Sequence, residues 1–173
     1  MTEPIKLQDI SIRTELQSGD IGYVIHLHGR LYKKEYDYGL IFEDYVAIAV
    51  SEFYKNYDSA KDCVWIAEYN GTMVGFLALM HRGADSAQLR FFILEPFCRG
   101  MGLAKKMTGL LMEFLKATKY KHCYLWTSNE QLEAAALYSK LGFRLTEEKD
   151  SFAFGKLLRE QRYDLDVEGA DLP

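Results

Sequence analysis

The stretch from Phe97 to Met107, FCRGMGLAKKM, sets two glycines, an alanine and three cations between an apolar run ending at Glu95-Pro96 and a helical pattern. A strand that feeds a glycine-rich turn and then a helix start leaves backbone amides unpaired at the positive end of the helix dipole. Such a place attracts phosphate. Gly100, Gly102 and Ala104 keep side chains clear of the main chain, while Arg99, Lys105 and Lys106 add compensating charge. A lone Gly-x-Gly is equally a tight strand-to-helix turn with no ligand. Two nucleotide motifs are excluded. No Gly-Lys-Ser/Thr occurs, and the sixth position after Gly100 is Lys106, with KYKHC where a ribose-binding carboxylate would stand.

Other residue types invite chemistry elsewhere. His28, Tyr32, Glu35 and Tyr36 recur at i, i+4, i+7 and i+8 and so share one helix face, either a solvated face or the border of a pocket. Arg90 stands inside the apolar run AQLRFFIL, where a lone arginine is costly. It must reach a carboxylate such as Glu35, bind an acidic group on a ligand or point to water, and an ion pair is the favoured reading. Cys98 sits beside the basic turn as a candidate thiol nucleophile, but no histidine lies close to it in sequence. Trp65 and Trp126 fall within strand patterns and read as core.

These residues need elements to hold them. Residues 11–17, SIRTELQ, read as a first strand, after which SGD offers Ser18 or Asp20 as an acceptor for orphan helix amides. A helix from about Gly22 to Tyr36 breaks near DYG, and a second carries Phe42, Tyr45, Val46, Ile48, Ala49, Phe53 and Tyr54 at helical spacing. VWIAEY, the turn NGT and MVGFLALM form a hairpin signal, because Asn-Gly tolerates the positive angles of a tight turn. AQLRFFIL is a strand ended by Pro96, Leu103 to Leu115 a helix, and HCYLWTS a buried strand. A helix over Glu130 to Leu141 closes at Gly142, and FRLTEEK and REQRYDLDV are two final strands. The order is an α/β layout with a strand, crossover helix and parallel strand at its centre.

Composition bounds the rest. A chain of 173 residues with 49% hydrophobic content is expected to form one domain, residues 1–173 with a core of about 11–167. The tail EGADLP is expected to fray. A net charge of -4 argues against a broad nucleic-acid or anionic-membrane surface, so neither partner is expected. Cys63, Cys98 and Cys123 are odd in number and widely separated, which suggests no disulfide framework, no metal site and a reducing cytoplasm. MTEPIKLQDI does not read as a secretory signal, and no apolar stretch approaches the ~20 residues a membrane span needs.

Arg99-x-x-Gly102-x-Ala104 at a strand-to-helix junction, preceded by Leu94-x-Pro96 and followed one crossover later by Leu137-Tyr138-x-x-x-Gly142-Phe143, resembles the Gcn5-related N-acetyltransferase (GNAT) family. HLHGRLYKKEY, LRFFILEPFCRGMGLA, CYLWTS, LGFRLTEE and EQRYDLDV are similar to bacterial acetyltransferase domains found alone or fused behind MarR-type winged-helix regulators. The resemblance implies a GNAT fold: a mixed, twisted central sheet with flanking helices, splayed between its fourth and fifth strands to admit acetyl-coenzyme A. It implies that Phe92, Ile93 and Leu94 pair with the pantetheine arm, and that Arg99, Gly100, Met101, Gly102, Leu103, Ala104 and Lys105 surround the diphosphate. Tyr138 is implied as the acid that protonates the departing sulfur. His28, Tyr32, Glu35 and Arg90 are implied near a small-molecule amine, with an amino acid favoured if Arg90 meets a carboxylate. Many family members carry Asn seven residues before the tyrosine; here that place is Gln131, and Asn129 two residues earlier is the substitute contact to pantetheine. Family relatives also form homodimers. A non-catalytic acyl-coenzyme A sensor is the alternative to an enzyme.

Overall fold

The computed structural model describes residues 5–168, so the tail from Gly169 onward lies outside the described residues. After a 3-10 turn at Leu7–Asp9 come β1 (Ser11–Arg13), α1 (Asp20–Tyr36), α2 (Leu40–Lys55), β2 (Cys63–Tyr69), β3 (Thr72–His81) and β4 (Ser86–Leu94). A second 3-10 turn, Pro96–Cys98, leads to α3 (Leu103–Ala117), β5 (His122–Ser128), α4 (Leu132–Lys140), β6 (Arg144–Ser151) and β7 (Leu158–Asp166). The seven strands form one sheet in the order β1-β2-β3-β4-β5-β7-β6. Among the described residues only β4 and β5 run parallel, with α3 as the crossover between them.

Helices cover both faces, which is why β2 and β3 are nearly continuous in apolar residues rather than alternating. On β2, Cys63, Trp65 and Ala67 pack on the side of α3, while Val64 and Ile66 pack on the side of α1 and α2. Helix α2 presents Phe42, Val46, Val50 and Phe53, and α3 presents Leu103, Met107, Leu111 and Leu115. Each such buried side chain contributes about 1.5–3 kcal/mol of transfer free energy. The β2–β3 hairpin closes at Asn70 and Gly71, both with positive φ, as its sequence requires. Helix α4 ends where Gly142 adopts φ +93 and Phe143 N–H returns to the Tyr138 carbonyl at 3.0 Å.

Three local expectations are corrected. The first strand stops at Arg13 instead of Gln17, because the Arg13 guanidinium turns to Asp20 at 2.7 and 2.8 Å and to Glu68 at 2.9 Å, and the chain bends around it. Neither Ser18 nor Asp20 caps α1; Gly19 is the N-cap, and the Asp20 carboxylate accepts from Gln17 N–H and Arg13. Helix α4 begins at Leu132, two residues later than Glu130, since Gln131 is held in a non-helical conformation with its side chain facing inward.

The sheet is paired unevenly. Strands β4 and β5 pair only at Ser86↔His122, Ala87↔Cys123 and Gln88↔Tyr124. Beyond that point β4 keeps β3 on one side and β5 keeps β7 on the other, so the sheet parts into two halves. The edge from Leu89 to Leu94 runs about 20 Å along this opening. Within it, β4 bulges: Phe91 and Phe92 oppose the single residue Leu77, and Phe91 takes φ +55. A bulge bends the strand and leaves backbone groups outside the ladder.

Candidate active site

The α3 tip is built from backbone. Gly100 and Gly102 have φ +77 and +92, a conformation in which a Cβ is strained, and Gly102 is the helix N-cap with no side chain bonded into its place. The first intrahelical bond runs from Lys106 N–H to the Gly102 carbonyl at 3.0 Å. The six amides from Gly100 to Lys105 therefore have no acceptor among the described residues. Leu103 is buried and serves this tip through its main chain alone, whereas Lys105 and Lys106 are exposed. Six consecutive donors at a dipole's positive end fit a diphosphate.

Arg99 performs a different task from the expected supply of charge to that turn. Its guanidinium forks onto Glu35 at 2.8 and 3.0 Å and also donates to the Leu94 carbonyl at 3.1 and 3.2 Å. It thereby ties α1, the end of β4 and the turn into one corner. Glu95 N–H donates to Val74 O on β3 at 2.8 Å, so alternation directs both polar groups of Leu94 to the opposite edge. The Leu94 carbonyl is taken by Arg99, and its amide faces the opening.

A cavity of about 510 Å³ lies in the parted sheet. It brings together five of the expected residues, His28, Tyr32, Arg90, Phe92 and Tyr138. Glu35, Asn129 and the α3 tip do not line it. Asn129 is instead pinned to β7, its side-chain oxygen accepting from Arg159 N–H and its own N–H donating to Arg159 O, both at 2.9 Å.

Tyr138 is buried, packed edge-on against Phe143 and tilted against Tyr163, yet it borders the cavity, and its hydroxyl has no hydrogen-bond partner among the described residues. Burial pushes this phenol above its ordinary value, so it stays protonated. His28 is buried too. Its Nδ1 donates to the Val24 carbonyl at 2.8 Å, which leaves Nε2 as a lone-pair acceptor on the cavity side. Burial, opposed by the Val24 bond and helped by nearby Arg90, lowers the imidazole to about 4. It is neutral at physiological pH.

Tyr32 donates to Gln131 Oε1 at 3.1 Å, and Gln131 donates onward to Ser128 at 3.4 Å, so the residue standing in the usual asparagine place ties α1 to the end of β5. The Thr127 hydroxyl, on the same wall, is buried without a partner. An orphaned polar atom of this kind is a group left for a ligand.

The expected Arg90–Glu35 pair does not form. Glu35 belongs to Arg99, and Arg90 donates to the Tyr45 hydroxyl at 3.0 Å with its guanidinium 4.8 Å from the Phe91 ring. Arg90 thus reaches α2, through Tyr45, instead of Glu35 at the C-terminal end of α1. Cys98 is fully buried and burial, with Glu95 nearby, pushes its thiol up to about 11, which removes it as a nucleophile. Trp65 is core, but Trp126 lines the cavity under the Lys149 ammonium, because β5 has lost β4 as a neighbour there.

The sequence reading missed the lid of the cavity. The loop between β6 and β7 lays Phe154 against Phe42, Tyr45 and Tyr38, at centroid distances of 5.0, 5.1 and 5.5 Å. Lys156 fastens it to Glu130 at 2.7 Å and to the Tyr36 carbonyl at 2.8 Å. The aromatic pair followed by a glycine in SFAFGK was the available signal.

Fold and site together define an α/β protein that opens its sheet to an extended, phosphate-bearing ligand and places a phenol inside the opening. Residues 30–143 match the model of the Acetyltransferase (GNAT) family, and the chain belongs to that family of acyltransferase enzymes. It is 34% identical over 113 residues to the uncharacterized N-acetyltransferase YjgM of Escherichia coli, covering 62% of this chain and 68% of that one. With N-acetylaspartate synthetase of Danio rerio it shares 31% identity over 98 residues, 56% of this chain and 35% of that protein, so it spans about a third of that relative. The structure of yncA from Salmonella typhimurium with its cofactor acetyl-CoA superposes with a TM-score of 0.67 at 17% identity, over 95% of this chain and 98% of the other.

Proposed function

We propose that the protein transfers an acetyl group directly from acetyl-coenzyme A to the primary amine of a small molecule, with amino acids among its acceptors. The observation that carries this is the parting of the sheet: β4 is unpaired with β5 beyond Gln88 and the buried Tyr138 borders the cavity in the gap, while six amides without acceptors among the described residues stand at the α3 tip that follows β4. The amides of Gly100 to Lys105 hold the diphosphate, and the edge of Phe92 to Leu94 takes the pantetheine as an added strand.

Acetyl-coenzyme A supplies the acetyl group as a thioester, whose carbonyl carbon gains the C–N bond as the C–S bond breaks. The Leu94 amide, aimed into the gap, donates to the carbonyl oxygen as charge develops there. Tyr138 gives its proton, or a short hydrogen bond, to the departing sulfur, and the proton that the nitrogen loses as the amide forms passes to water, from which the phenol is reprotonated. An ordinary phenol near ~10 is a weaker acid than a thiol near ~8.5. Burial raises the Tyr138 phenol further, so it stays protonated and keeps its hydrogen for the sulfur.

His28 is too weakly basic to remove a proton from an ammonium. Its Nε2 accepts a hydrogen bond from an amine that has already lost its proton to water, and so orients the lone pair. Arg90, without a carboxylate partner among the described residues, meets the acceptor's carboxylate. The test is thiol release from acetyl-coenzyme A over a panel of amines, with Tyr138→Phe beside the wild type. Turnover that falls steeply in the variant supports the reading; coenzyme binding without turnover of any amine contradicts it.

A further inference from the structure

The acceptor end of the cavity carries more positive charge than one carboxylate requires. Its formally charged lining is Arg82, Arg90 and Lys149 against a single carboxylate, Glu160, in a protein whose net charge is -4. Lys149 lies 3.6 Å from Glu160 and above Trp126, so that pair is internally compensated. Neither arginine has a carboxylate partner among the described residues.

The two arginines are joined by Gln88. Gln88 and Arg90 stand two residues apart on β4, before the bulge, and therefore share a face about 7 Å apart. Arg82 Nε donates to Gln88 Oε1 at 2.8 Å, and the turn that carries it is closed by Arg82 N–H to Ser86 O at 2.7 Å. An arginine can only donate, so Gln88 must present its oxygen to Arg82 and its amide hydrogens elsewhere. Arg82, the Gln88 amide and Arg90 thus form a row of donors along one wall. Tyr45 extends the row, since its hydroxyl accepts from Arg90 and retains its own hydrogen.

Two guanidinium groups lining one cavity without carboxylate partners among the described residues favour an anion there, and each is shaped to fork onto a carboxylate. We infer that the Arg82 and Gln88 end of this row binds a second anionic group of the acceptor, beside the carboxylate that meets Arg90, and that the preferred substrate is a small amino acid with two carboxylates or an equivalent dianion. The inference rests on the acetyl-transfer reading for its amine, but the anion site itself does not.

Its test therefore has two arms. In calorimetry with the intact protein, glutarate serves as the dianion and butyrate as the monoanion. Glutarate is expected to bind at least ~10-fold more tightly, Arg82→Gln to abolish that advantage and Arg82→Lys to keep part of it. In the transfer assay, aspartate and glutamate are compared with alanine. Arg82→Gln is expected to lower kcat/KM for the acidic pair by ~10-fold or more and for alanine by less than ~2-fold. Equal binding of glutarate and butyrate, or equal losses for acidic and neutral acceptors, overturns the inference. Dianion binding that depends on Arg82 without transfer to any amine upholds the anion site and defeats the acetyl-transfer reading instead.

Discussion

At the α3 tip the groups offered to a ligand are the unpaired backbone amides of one unbroken stretch, Gly100 to Lys105, whereas the cavity around Tyr138 is lined by side chains from α1, α2, β4, β5, α4 and the β6–β7 loop. The first region needs only a turn that holds positive φ and a helix that starts on time. The second needs a strand bulge, two helices and a loop to arrive at the same place. A site of backbone donors tolerates changes of side chain and recognises what all its ligands share; a site of convergent side chains selects among acceptors. If this division is right, substitutions at the two ends separate coenzyme affinity from acceptor use.

The largest effect is expected at Tyr138. Tyr138→Phe removes only the hydroxyl, which has no partner among the described residues, so kcat should fall ~100-fold or more while coenzyme A affinity stays within ~3-fold. Stopped-flow turnover and calorimetry measure the two quantities. Loss of coenzyme binding instead would make Tyr138 part of the coenzyme end.

His28 links the acceptor end to stability. Its folded value of about 4 lies below the ordinary 6.5, so between these values the unfolded chain binds more protons. The stability it confers is complete above the unfolded value and is lost as pH falls toward 4. That loss amounts to about 2 kcal/mol between pH 7 and pH 5. Urea unfolding of His28→Gln should show a smaller acid loss than the wild type by that amount. In the wild type, kcat/KM should rise with pH along the titration of the amine, with no inflection near 6.5; such an inflection would make His28 a proton acceptor in the reaction.

At the coenzyme end, Gly102→Val places a branched side chain at φ +92, which costs about 1–2 kcal/mol. Coenzyme A affinity should weaken ~10-fold as the amides lose alignment, with the KM for amine little changed. The smallest effect is expected at Phe154→Ala. Losing its contacts to Phe42 and Tyr45 loosens the lid, and the KM for amine should rise ~3-fold without change in coenzyme affinity.

The same division governs what the sequence disclosed. The turn and its glycines were legible because the constraint is local: Gly100 and Gly102 must take positive φ, and strand, turn and helix follow one another in the chain. The element order followed from apolar periodicity and turn signals and is seen in the fold, and the parting of the fourth and fifth strands, implied by the family resemblance, is seen in β4 and β5. The partners of Arg90 and Arg99 were illegible, since each guanidinium meets a helix distant in the chain, Arg90 at Tyr45 of α2 and Arg99 at Glu35 of α1. Trp126 looked like core because the loss of its neighbouring strand is a tertiary event. Phe154 was overlooked for the same reason, as its ring stacks on residues more than a hundred positions away.

The most direct test follows backbone amides of the 15N-labelled protein during titration with coenzyme A. Gly100 to Lys105 should shift together at saturation, with Leu94 moving among the β4 edge residues and the β6–β7 loop little affected. Saturable binding that leaves the Gly100–Lys105 amides unmoved would contradict the assignment of the α3 tip as the diphosphate site.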